Sequence, residues 1–363
     1  MYSARERDTV SVRRSNTRRG WLSNISKMKT RHKNIPFFIP HEGCGFRCIF
    51  CSQTKITGVC RSAEQTAEEC RELAETVEAS LMTLHDGDSA EIAFFGGSFT
   101  GIERERMISL LETAEKYIGD RITGIRLSTR PDYIDGEICE ILKAHGVTAV
   151  ELGIQSVSDR VLDLNRRGHH SDVSEKACYL LKENGFLLTG QMMCGLYGST
   201  REDEVDTAGA IVRWGCDSAR IYPTVVFSGT ELMMLTKQGK YTPLTTEEAV
   251  SRAADCASVF VKNGVKILRI GLHSSENLAE APFGAKHPAL GELVMSEIYY
   301  KEIRDALGGA GDNVVVYVPL GCVSKAVGQH RANAVRLENE TGKRLSFRED
   351  KSLPEYKIRI ETN

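Results

Sequence analysis

The sequence predicts an α/β fold: a partial or full TIM-type (β/α) barrel followed by a small α+β C-terminal extension. From residue 34 onward, short β-branched or aromatic runs alternate with longer stretches of helical periodicity. The short runs are almost continuously apolar, which is typical of parallel strands covered by helices. Six or seven of these units occupy about 240 residues, a length that suits such a barrel.

Seven segments are predicted as barrel strands. They are NIPFFIP (34–40), AEIAFFGG (90–97), GIRLST (124–129), TAVELGIQ (148–155), FLLTGQMM (186–193), SARIYPTVV (218–226) and VKILRIG (265–271).

The stretches between these strands are predicted as helices, and two of them carry capping signals. SAEQTAEECRELAETVEASL begins with Ser62 and Gln65, a Ser-x-x-Gln capping box. Thr245 and Glu248 form a box of the same kind in TTEEAVSRAADCASVFVKNG, and Gly264 follows where a C-terminal glycine belongs.

Charge divides the chain into an arm and a body. Residues 1–33 carry ten Lys/Arg against two acidic residues, a net of +8, whereas the remainder carries 37 basic and 47 acidic residues. Such an apolar-poor segment cannot bury enough surface to fold alone. It is interpreted either as a nucleic-acid-binding arm or as a solvated tail. The predicted domains are therefore a basic arm (1–33), a barrel (34–275) and an α+β extension (276–363).

Composition argues against membrane and secreted proteins. The chain is 41% hydrophobic and 26% charged, as ordinary globular proteins are. No apolar run approaches the roughly eighteen residues of a membrane span, and no apolar segment follows the N-terminal charges as in a secretory signal. A cytoplasmic location is expected, where the eleven cysteines would be thiols or metal ligands rather than disulfides.

Three of these cysteines form a candidate metal site. Cys44, Cys48 and Cys51 are spaced as C-x3-C-x2-C directly after the first predicted strand. Chemistry in such barrels takes place at the C-terminal ends of the strands. A structural zinc site would need a fourth ligand, and no second C-x2-C pair occurs. A 4Fe-4S cluster on three thiolates fits better, because one iron stays open to bind the amine and carboxylate of S-adenosylmethionine (SAM).

Other strand ends supply candidate SAM contacts. Glycines in GGSFTG (96–101) allow close approach of backbone to a ligand. Polar residues in otherwise apolar strands are costly unless they meet a partner or ligand. A guanidinium in NRRGHH could pair with the SAM carboxylate, with a plain surface loop as the alternative. The candidates are Gly96, Gly97, Ser98, Ser128, Glu151, Gln155 and Arg167.

The motif C-x3-C-x-aromatic-C, formed by Cys44, Cys48, Phe50 and Cys51, resembles the signature of the radical SAM superfamily. The resemblance implies a barrel of the radical SAM kind. It also implies an enzyme that cleaves SAM to a 5'-deoxyadenosyl radical with a 4Fe-4S cluster. An electron donor such as flavodoxin or ferredoxin is expected as a partner, and Phe50 joins the cofactor-binding residues.

Several segments together resemble the Elongator catalytic-subunit family, in that family's order, over roughly residues 35–275. They are IPHEGCGFRCIFC, GGSFTG, STRPD, ELGIQS, NRRGHH, GLYGST and RIYPTVVFSGTELMMLTKQGKY. Oxygen-independent coproporphyrinogen oxidase is similar more distantly. Its pattern implies that Gln155, Arg167 and Gln191 contact SAM. The resemblance implies tRNA as the substrate.

The sequence departs from the Elongator pattern at several positions. Ser128 stands where the family has Glu, Tyr197 changes GLPG to GLYG, and Arg220 replaces the Lys before IYPT. About 90 residues follow position 271, too few for the acetyltransferase domain of that family. We therefore expect no acetyl-CoA binding.

The C-terminal extension is predicted as a helix (287–307), a strand (313–319), one or two helices (321–342) and a closing strand (355–361). Its basic cluster is interpreted as a phosphate-binding surface or as a solvated helix face. The cluster consists of Lys325, His330, Arg331, Arg336, Lys343 and Arg344.

Three functions are consistent with these patterns. The first is a radical SAM enzyme that modifies tRNA or another RNA, favoured by the family resemblance and the basic segments. The second is a radical SAM enzyme acting on a small molecule or peptide, favoured by the lack of an acetyltransferase domain. The third is a non-catalytic iron–sulfur or zinc protein that binds RNA, which the additional SAM motifs argue against. Loops and extensions select the substrate in barrels, so the first two remain open.

Overall fold

The computed structural model describes residues 31–39, 43–51, 63–272 and 276–362. The basic arm lies outside the described residues except for positions 31–33, and so does Ser62 of the first predicted capping box. Within the described ranges, none of the helices combines the length and the apolar character that crossing a membrane requires.

The described residues form twelve strands. They are β1 (His32–Ile39), β2 (Ser89–Gly96), β3 (Ile122–Thr129), β4 (Val147–Gln155), β5 (Leu187–Cys194), β6 (Ser218–Pro223), β7 (Val225–Val226), β8 (Lys266–Ile270), β9 (Phe283–Gly284), β10 (Asn313–Val318), β11 (Arg344–Glu349) and β12 (Arg359–Thr362).

The same residues form twelve α-helices. They are α1 (Ala63–Thr83), α2 (Arg104–Glu115), α3 (Gly136–Ala144), α4 (Asp159–Leu164), α5 (Ser171–Glu183), α6 (Arg201–Arg213), α7 (Glu231–Lys237), α8 (Thr246–Lys262), α9 (Glu276–Ala279), α10 (Leu290–Ala306), α11 (Val323–Val327) and α12 (Ala332–Thr341).

Seven strands form one parallel sheet in the order β1-β2-β3-β4-β5-β6-β8. Among the described residues β1 and β8 are not paired with each other, so the sheet is an open half-barrel. Each crossover between neighbouring strands contains at least one helix, as parallel pairing requires. The predicted α/β fold and the partial barrel are confirmed.

The two faces of the sheet differ in chemistry because successive side chains point to opposite sides. On β4, Val150, Leu152 and Ile154 are fully buried in the hydrophobic core beneath the helices. Glu151, which alternates with them, faces the inside of the half-barrel. Burying one such aliphatic side chain contributes roughly 1.5–3 kcal/mol, so the apolar face stabilises the fold and leaves the polar face for binding.

The predicted cap of α8 is present. Glu248 N donates to Thr245 Oγ1 at 3.2 Å, and Thr245 N donates to Glu248 Oε2 at 2.8 Å. Gly264 adopts a φ of 72°, a left-handed value that glycine tolerates at a helix end.

The sixth predicted strand ends earlier than expected. Segment 218–226 is divided into β6 and the short β7, which pairs antiparallel with β9. The break follows Pro223, which has no N–H to continue a ladder. Thr224 then turns back, donating from both its N–H and its hydroxyl to Cys194 O at 2.8 Å.

The C-terminal extension forms a second unit packed on the half-barrel through contacts of α10 with α8. Its sheet has the order β11-β10-β12, with β10 parallel to β11 and antiparallel to β12. Segment 321–342 forms two helices, α11 and α12, joined by a short 3-10 turn. Strand β11 was not among the predicted elements, although RLSFRE has the alternation of an edge strand.

Candidate functional site

The loop that carries the three cysteines rests directly on the loop after β2. Gly43 has a φ of 80°, and a Cβ there would lie 2.1 Å from Ser98 O. A Cβ on Gly101 would in turn lie 2.1 Å from Gly43 O. Only glycine fits at both positions, so this close contact locates the cysteine loop over the ends of β1 and β2.

The far end of the cysteine loop is held by backbone bonds. Ile49 N donates to Asn165 O at 3.2 Å, and Ile49 O accepts from Leu232 N at 2.9 Å. Ile49 and Leu232 are buried in one apolar cluster, against which Phe50 packs while partly exposed. The C-terminal end of α4 and the first turn of α7 thus hold the segment of Cys48 and Cys51 in position.

Arg167 lies against the cysteine loop and is only 6% exposed. Its Nη1 donates to Cys48 Sγ at 3.7 Å and its Nη2 donates to Gly153 O. Its Nε is buried without a hydrogen-bond partner among the described residues. The predicted guanidinium, that of Arg167, therefore lies beside the cysteine loop. Its Nε is left to donate a hydrogen bond to a ligand.

Arg130, which the sequence analysis did not single out, is a second buried cation here. Its Nε and Nη2 donate to the two carboxylate oxygens of Asp132 at 2.8 Å, and Nη2 also donates to Arg167 O at 2.6 Å. The guanidinium lies 5.2 Å from the centre of the Phe46 ring in the cysteine loop. The TRPD segment offered a sequence signal for Arg130, because an Arg close to an acidic residue directly after a strand indicates a binding site.

The Cys44 thiol is buried beside two guanidinium groups. Burial raises its pKa above the usual value, and the charges of Arg130 and Arg167 only partly offset this. Two buried guanidinium groups beside three soft thiols offset the negative charge that thiolate ligands bring. The donor set therefore fits a 4Fe-4S cluster held by Cys44, Cys48 and Cys51.

His169 lies beside the same arginines and is 8% exposed. Burial first, and then the charge of Arg167, lowers its pKa to about 4. The imidazole is therefore neutral at physiological pH. Its Nε2 is buried without a partner in the described part of the chain, which leaves another polar atom open to a ligand.

The glycine-rich turn after β2 has a backbone geometry that permits close approach to a ligand. Gly96 has a φ of 112°, and a Cβ there would lie 2.6 Å from Ile39 O. Gly96 is exposed and Gly97 is half-buried, so their backbone groups are accessible. Ser98 is buried, bonds Thr129 Oγ1 at 2.9 Å and accepts from Arg130 N at 3.1 Å, which ties this turn to the end of β3.

Three predicted polar residues meet on the inner face of the half-barrel. Gln191 Nε2 donates to Glu151 Oε2 at 2.9 Å and lies 3.3 Å from Ser128 Oγ. Arg220 Nε and Nη2 donate to the two oxygens of Glu151 at 2.7 and 2.8 Å. Glu151 is 1% exposed. Its carboxylate is thus neutralised inside the protein, and the Arg that departs from the family pattern neutralises it.

Gln155 ends β4 in a strained conformation. Its φ of 68° lies in the left-handed region, which costs a non-glycine residue about 1 kcal/mol. Its Oε1 is buried with no hydrogen-bond partner among the residues that the structure describes. Strain and an unpaired buried oxygen in one residue are typical of ligand-binding positions.

A second cluster of ligand-type atoms lies outside this site. Cys194 Sγ is 3.9 Å from Cys256 Sγ, and both lie within 4.8 Å of a Glu204 oxygen. Arg252 donates to both oxygens of Glu204, at 2.6 and 2.8 Å. The Glu204 carboxylate is therefore paired with the Arg252 guanidinium, and Cys194 and Cys256 belong to the buried core.

Comparison with known families agrees with this geometry. The sequence profile of the radical SAM superfamily matches residues 38–211, and that of the radical SAM C-terminal domain matches residues 216–300. The first match includes the cysteine loop and β2–β5; the second includes β6–β9 and most of α10.

Two curated relatives and one solved structure are similar to the chain. The tRNA uridine(34) acetyltransferase of Methanocaldococcus infernus is 32% identical over 242 residues, 61% of this chain and 45% of the relative. Elongator complex protein 3 of Homo sapiens is 25% identical over 235 residues, 59% of this chain and 42% of the relative. The archaeal Elp3 structure from Methanocaldococcus infernus, with residues 1–46 deleted, has a TM-score of 0.59 at 25% identity, covering 75% of this chain and 63% of that chain.

The chain spans less than half the length of the two curated relatives. The resemblance to the Elongator catalytic subunit is confirmed over part of the chain. Together the two profiles cover the half-barrel and the beginning of the C-terminal unit. The chain belongs to the radical SAM superfamily of enzymes.

Proposed function

We propose that this protein is an Elongator-like radical SAM enzyme that acts on tRNA. It would hold a 4Fe-4S cluster on Cys44, Cys48 and Cys51. The observation that carries the proposal is the convergence of two buried guanidinium groups, Arg130 and Arg167, on the cysteine loop. Arg130 is paired with Asp132, whereas Arg167 has no carboxylate partner among the described residues. Burying such a cation is costly unless an anionic group binds beside it.

SAM would bind between the cysteines and the ends of β2–β5. Arg167 Nε and Gln155 Oε1 are a donor and an acceptor without partners in the described residues, and both suit the amino-acid part of SAM. The accessible backbone at Gly96 and Gly97 would contact the same ligand. A cluster of this kind supplies, when bound and reduced, the electron that cleaves SAM to methionine and a 5'-deoxyadenosyl radical.

Glu151, Gln191 and Ser128 would line the inner face of the half-barrel beside the bound SAM. They would not coordinate metal. Because Arg220 neutralises Glu151, this wall offers neutral polar contacts to SAM and to the substrate. Their hydrogen bonds to one another hold the side chains in fixed positions before binding, which lowers the ordering cost.

The assignment of tRNA as the substrate rests on the names of the relatives and on basic residues of the C-terminal unit. His330 and Arg331 are exposed in the turn between α11 and α12, and Arg344 is exposed at the start of β11. Arg336 is engaged elsewhere, since its guanidinium stacks 3.7 Å from the Tyr300 ring centre and bonds Glu340. We therefore assign phosphate contacts to the first three residues.

The predicted location and electron donor complete the proposal. A cluster with an open iron requires a reducing compartment, which agrees with the lack of any disulfide among the described cysteines. Reduction would come from a small electron carrier such as flavodoxin or ferredoxin in the cytoplasm. Acetyl-CoA has no part in the proposed reaction.

The test is formation of 5'-deoxyadenosine by anaerobically reconstituted, reduced protein. We expect slow formation with SAM alone and faster formation with tRNA that lacks modification at its wobble uridine, accompanied by a new modified nucleoside in mass spectrometry. Cys48→Ala should lose iron and activity, whereas Cys70→Ser, a substitution on the distant helix α1, should keep both.

Two outcomes would contradict the proposal. Iron bound at full stoichiometry by a variant lacking all three cysteines would exclude the cluster assignment. Failure of tRNA to stimulate SAM cleavage at low salt, in protein with an intact cluster, would favour a small molecule or peptide as the substrate.

A further inference from the structure

Among the described residues, three arginines of the inner face, Arg126, Arg220 and Arg269, stand against two carboxylates, Glu91 and Glu151. Arg126 lies within 4 Å of both carboxylates. Glu91 pairs with Arg126 at 2.9 Å, and Glu151 pairs with Arg220 at 2.7 Å. Arg269, on β8, has no carboxylate within ion-pair distance among the described residues. The alternating residue Ile270 is buried in the core, which leaves Arg269 on the inner face.

Arg269 is held in place by backbone carbonyls alone. Its Nε donates to Gly271 O and its Nη2 donates to Leu272 O, each at 3.0 Å. Its Nη1 makes no hydrogen bond with the residues that the structure describes. The guanidinium is thus oriented and half-buried, with one donor edge left for a ligand.

A second cation lies next to it. Arg220 and Arg269 are register partners on the neighbouring parallel strands β6 and β8, so their side chains leave the sheet on the same face. Burial and the charge of Arg220 lower the pKa of Arg269, and the phenol of Tyr222 opposes them. Arg220 is itself paired with Glu151, so the uncompensated charge is that of Arg269, and a bound anion would neutralise it.

These residues share a register row with the cofactor site. The row runs from Gly153 through Gln191 and Arg220 to Arg269. At its other end, Gly153 O accepts a hydrogen bond from Arg167, which contacts Cys48. Strands lie about 4.8 Å apart, so three strand spacings place Arg269 about 14 Å from Gly153 along the sheet. A substrate extending from the SAM site toward β8 would reach it.

We propose that Arg269, with Arg220 and Tyr222 beside it, forms an anion subsite that binds a phosphate group of the substrate. The proposal rests on the proposed function for the choice of a nucleotide, whose nucleoside would lie over β4 and β5 toward the cysteines. Arg220 already donates from Nε and Nη2 to Glu151, so Arg269 provides the principal contact to the phosphate. Guanidinium groups suit this role because their planar donors match phosphate oxygens.

The test compares uridine 5'-monophosphate, uridine and inorganic phosphate as probes, titrated into cluster-loaded full-length protein with SAM present. We expect uridine 5'-monophosphate to bind at least tenfold more tightly than uridine. Arg269→Gln should remove this difference, and Arg269→Lys should keep part of it. The matched control is Lys266→Gln, an exposed cation at the start of the same strand, which should leave the difference unchanged.

Thermal stability provides an independent readout. Without ligand, Arg269→Gln should melt at the same temperature as the parent or higher, since a like-charge contact is removed. The parent should gain more stability from uridine 5'-monophosphate than the variant does. A clear loss of stability in the ligand-free Arg269→Gln protein would indicate a structural role and overturn the proposal.

The two proposals fail in different ways. If uridine 5'-monophosphate binds the parent no better than uridine, the subsite is refuted, even where tRNA still stimulates SAM cleavage. If the phosphate-dependent difference is present and Arg269→Gln removes it, while tRNA has no effect on SAM cleavage, the subsite stands and the tRNA assignment fails.

Discussion

Arg167 and Cys48 lie 119 positions apart in the chain, yet Nη1 of the arginine contacts Sγ of the cysteine at 3.7 Å. The contact joins the loop after β1 to the loop after α4. A buried guanidinium at this position serves two purposes, because it compensates thiolate charge and keeps its Nε open toward the proposed SAM position.

Replacing Arg167 should separate cofactor binding from cluster assembly. We expect Arg167→Ala to weaken SAM binding at least tenfold, about 1.4 kcal/mol, while iron content stays unchanged. The neighbouring Arg166→Ala is the control, since Arg166 is exposed and pairs with Glu231. Equilibrium binding of SAM to the reconstituted variants measures the effect. Equal affinity in both variants would show that Arg167 is no SAM contact.

Replacing Gln155 should change the free energy of unfolding and the SAM affinity in opposite directions. Gln155→Gly keeps the left-handed conformation and removes its steric cost of about 1 kcal/mol, so the free energy of unfolding should stay the same or rise. SAM affinity should fall, because the unpaired Oε1 is lost. Denaturant unfolding and SAM titration on the same preparation measure both quantities. A variant that loses stability and keeps its affinity would contradict the ligand role.

The Glu151–Arg220 pair should be strongly coupled. Removing one partner of a buried pair leaves an uncompensated charge, so Glu151→Gln and Arg220→Gln should each destabilise the protein by about 3–5 kcal/mol. The double variant should cost less than the sum of the single changes, which a double-mutant cycle of unfolding free energies will detect. Additive effects would mean that the pair is not formed in solution.

The ionisation of Glu91 should make the free energy of unfolding depend on pH. Burial acts to raise its pKa, but the Thr148 hydroxyl and the Arg126 guanidinium more than offset this, and the pKa lies below its usual value of 4.5. A lowered carboxyl pKa stabilises the fold above the unfolded-state pKa, and this contribution disappears as pH falls through the folded-state pKa. The stability difference between parent and Glu91→Gln should therefore shrink below about pH 4.5.

Glu204 provides the contrast for this experiment. Burial raises its pKa in spite of hydrogen bonds from Arg252 and Gly195 N. Its ionisation therefore disfavours the folded state, and the parent should lose stability relative to Glu204→Gln as pH rises through the folded-state pKa. Unfolding free energies at several pH values decide both cases, and slopes of the same sign for the two carboxylates would contradict the assignment.

RNA binding should depend on salt through the basic segments. Counterion release makes log affinity fall linearly with log salt, with a slope of about −0.7 to −0.9 per phosphate neutralised. We expect removal of residues 1–30, which precede β1, or the change of His330 and Arg331 to Gln, to make this slope shallower. Arg336→Gln is the control, since that side chain is engaged with Tyr300. Slopes unchanged in all variants would exclude these residues from the interface.

The sequence by itself determined the local parts of this protein. Alternating apolar runs located the barrel strands to within a few residues, and Thr245 and Glu248 located the start of α8. The cysteine motif could be recognised because its three cysteines lie within eight positions of one loop. Periodicity, capping and spacing are short-range properties, which a chain carries before it folds.

Errors in the prediction arose where local signals compete. The run 218–226 reads as one strand, but Pro223 cannot donate to a ladder and Thr224 bonds back to Cys194. The edge strand β11 was missed because RLSFRE is short and charged, and its pairing with β10 is set by the fold. In both cases a long-range contact decided the structure.

Only the tertiary structure decided which charges are matched and which are left over. Glu151, Arg220 and Arg269 stand on three different strands, and nothing in their spacing indicates that Glu151 pairs with Arg220. Nor does it indicate that Arg269 has no carboxylate partner among the described residues. Likewise, Arg130 and Arg167 meet only because their loops follow the adjacent strands β3 and β4. The reason is that strand register and side-chain direction bring residues far apart in the chain to one face, and a one-residue slip would turn them to the other.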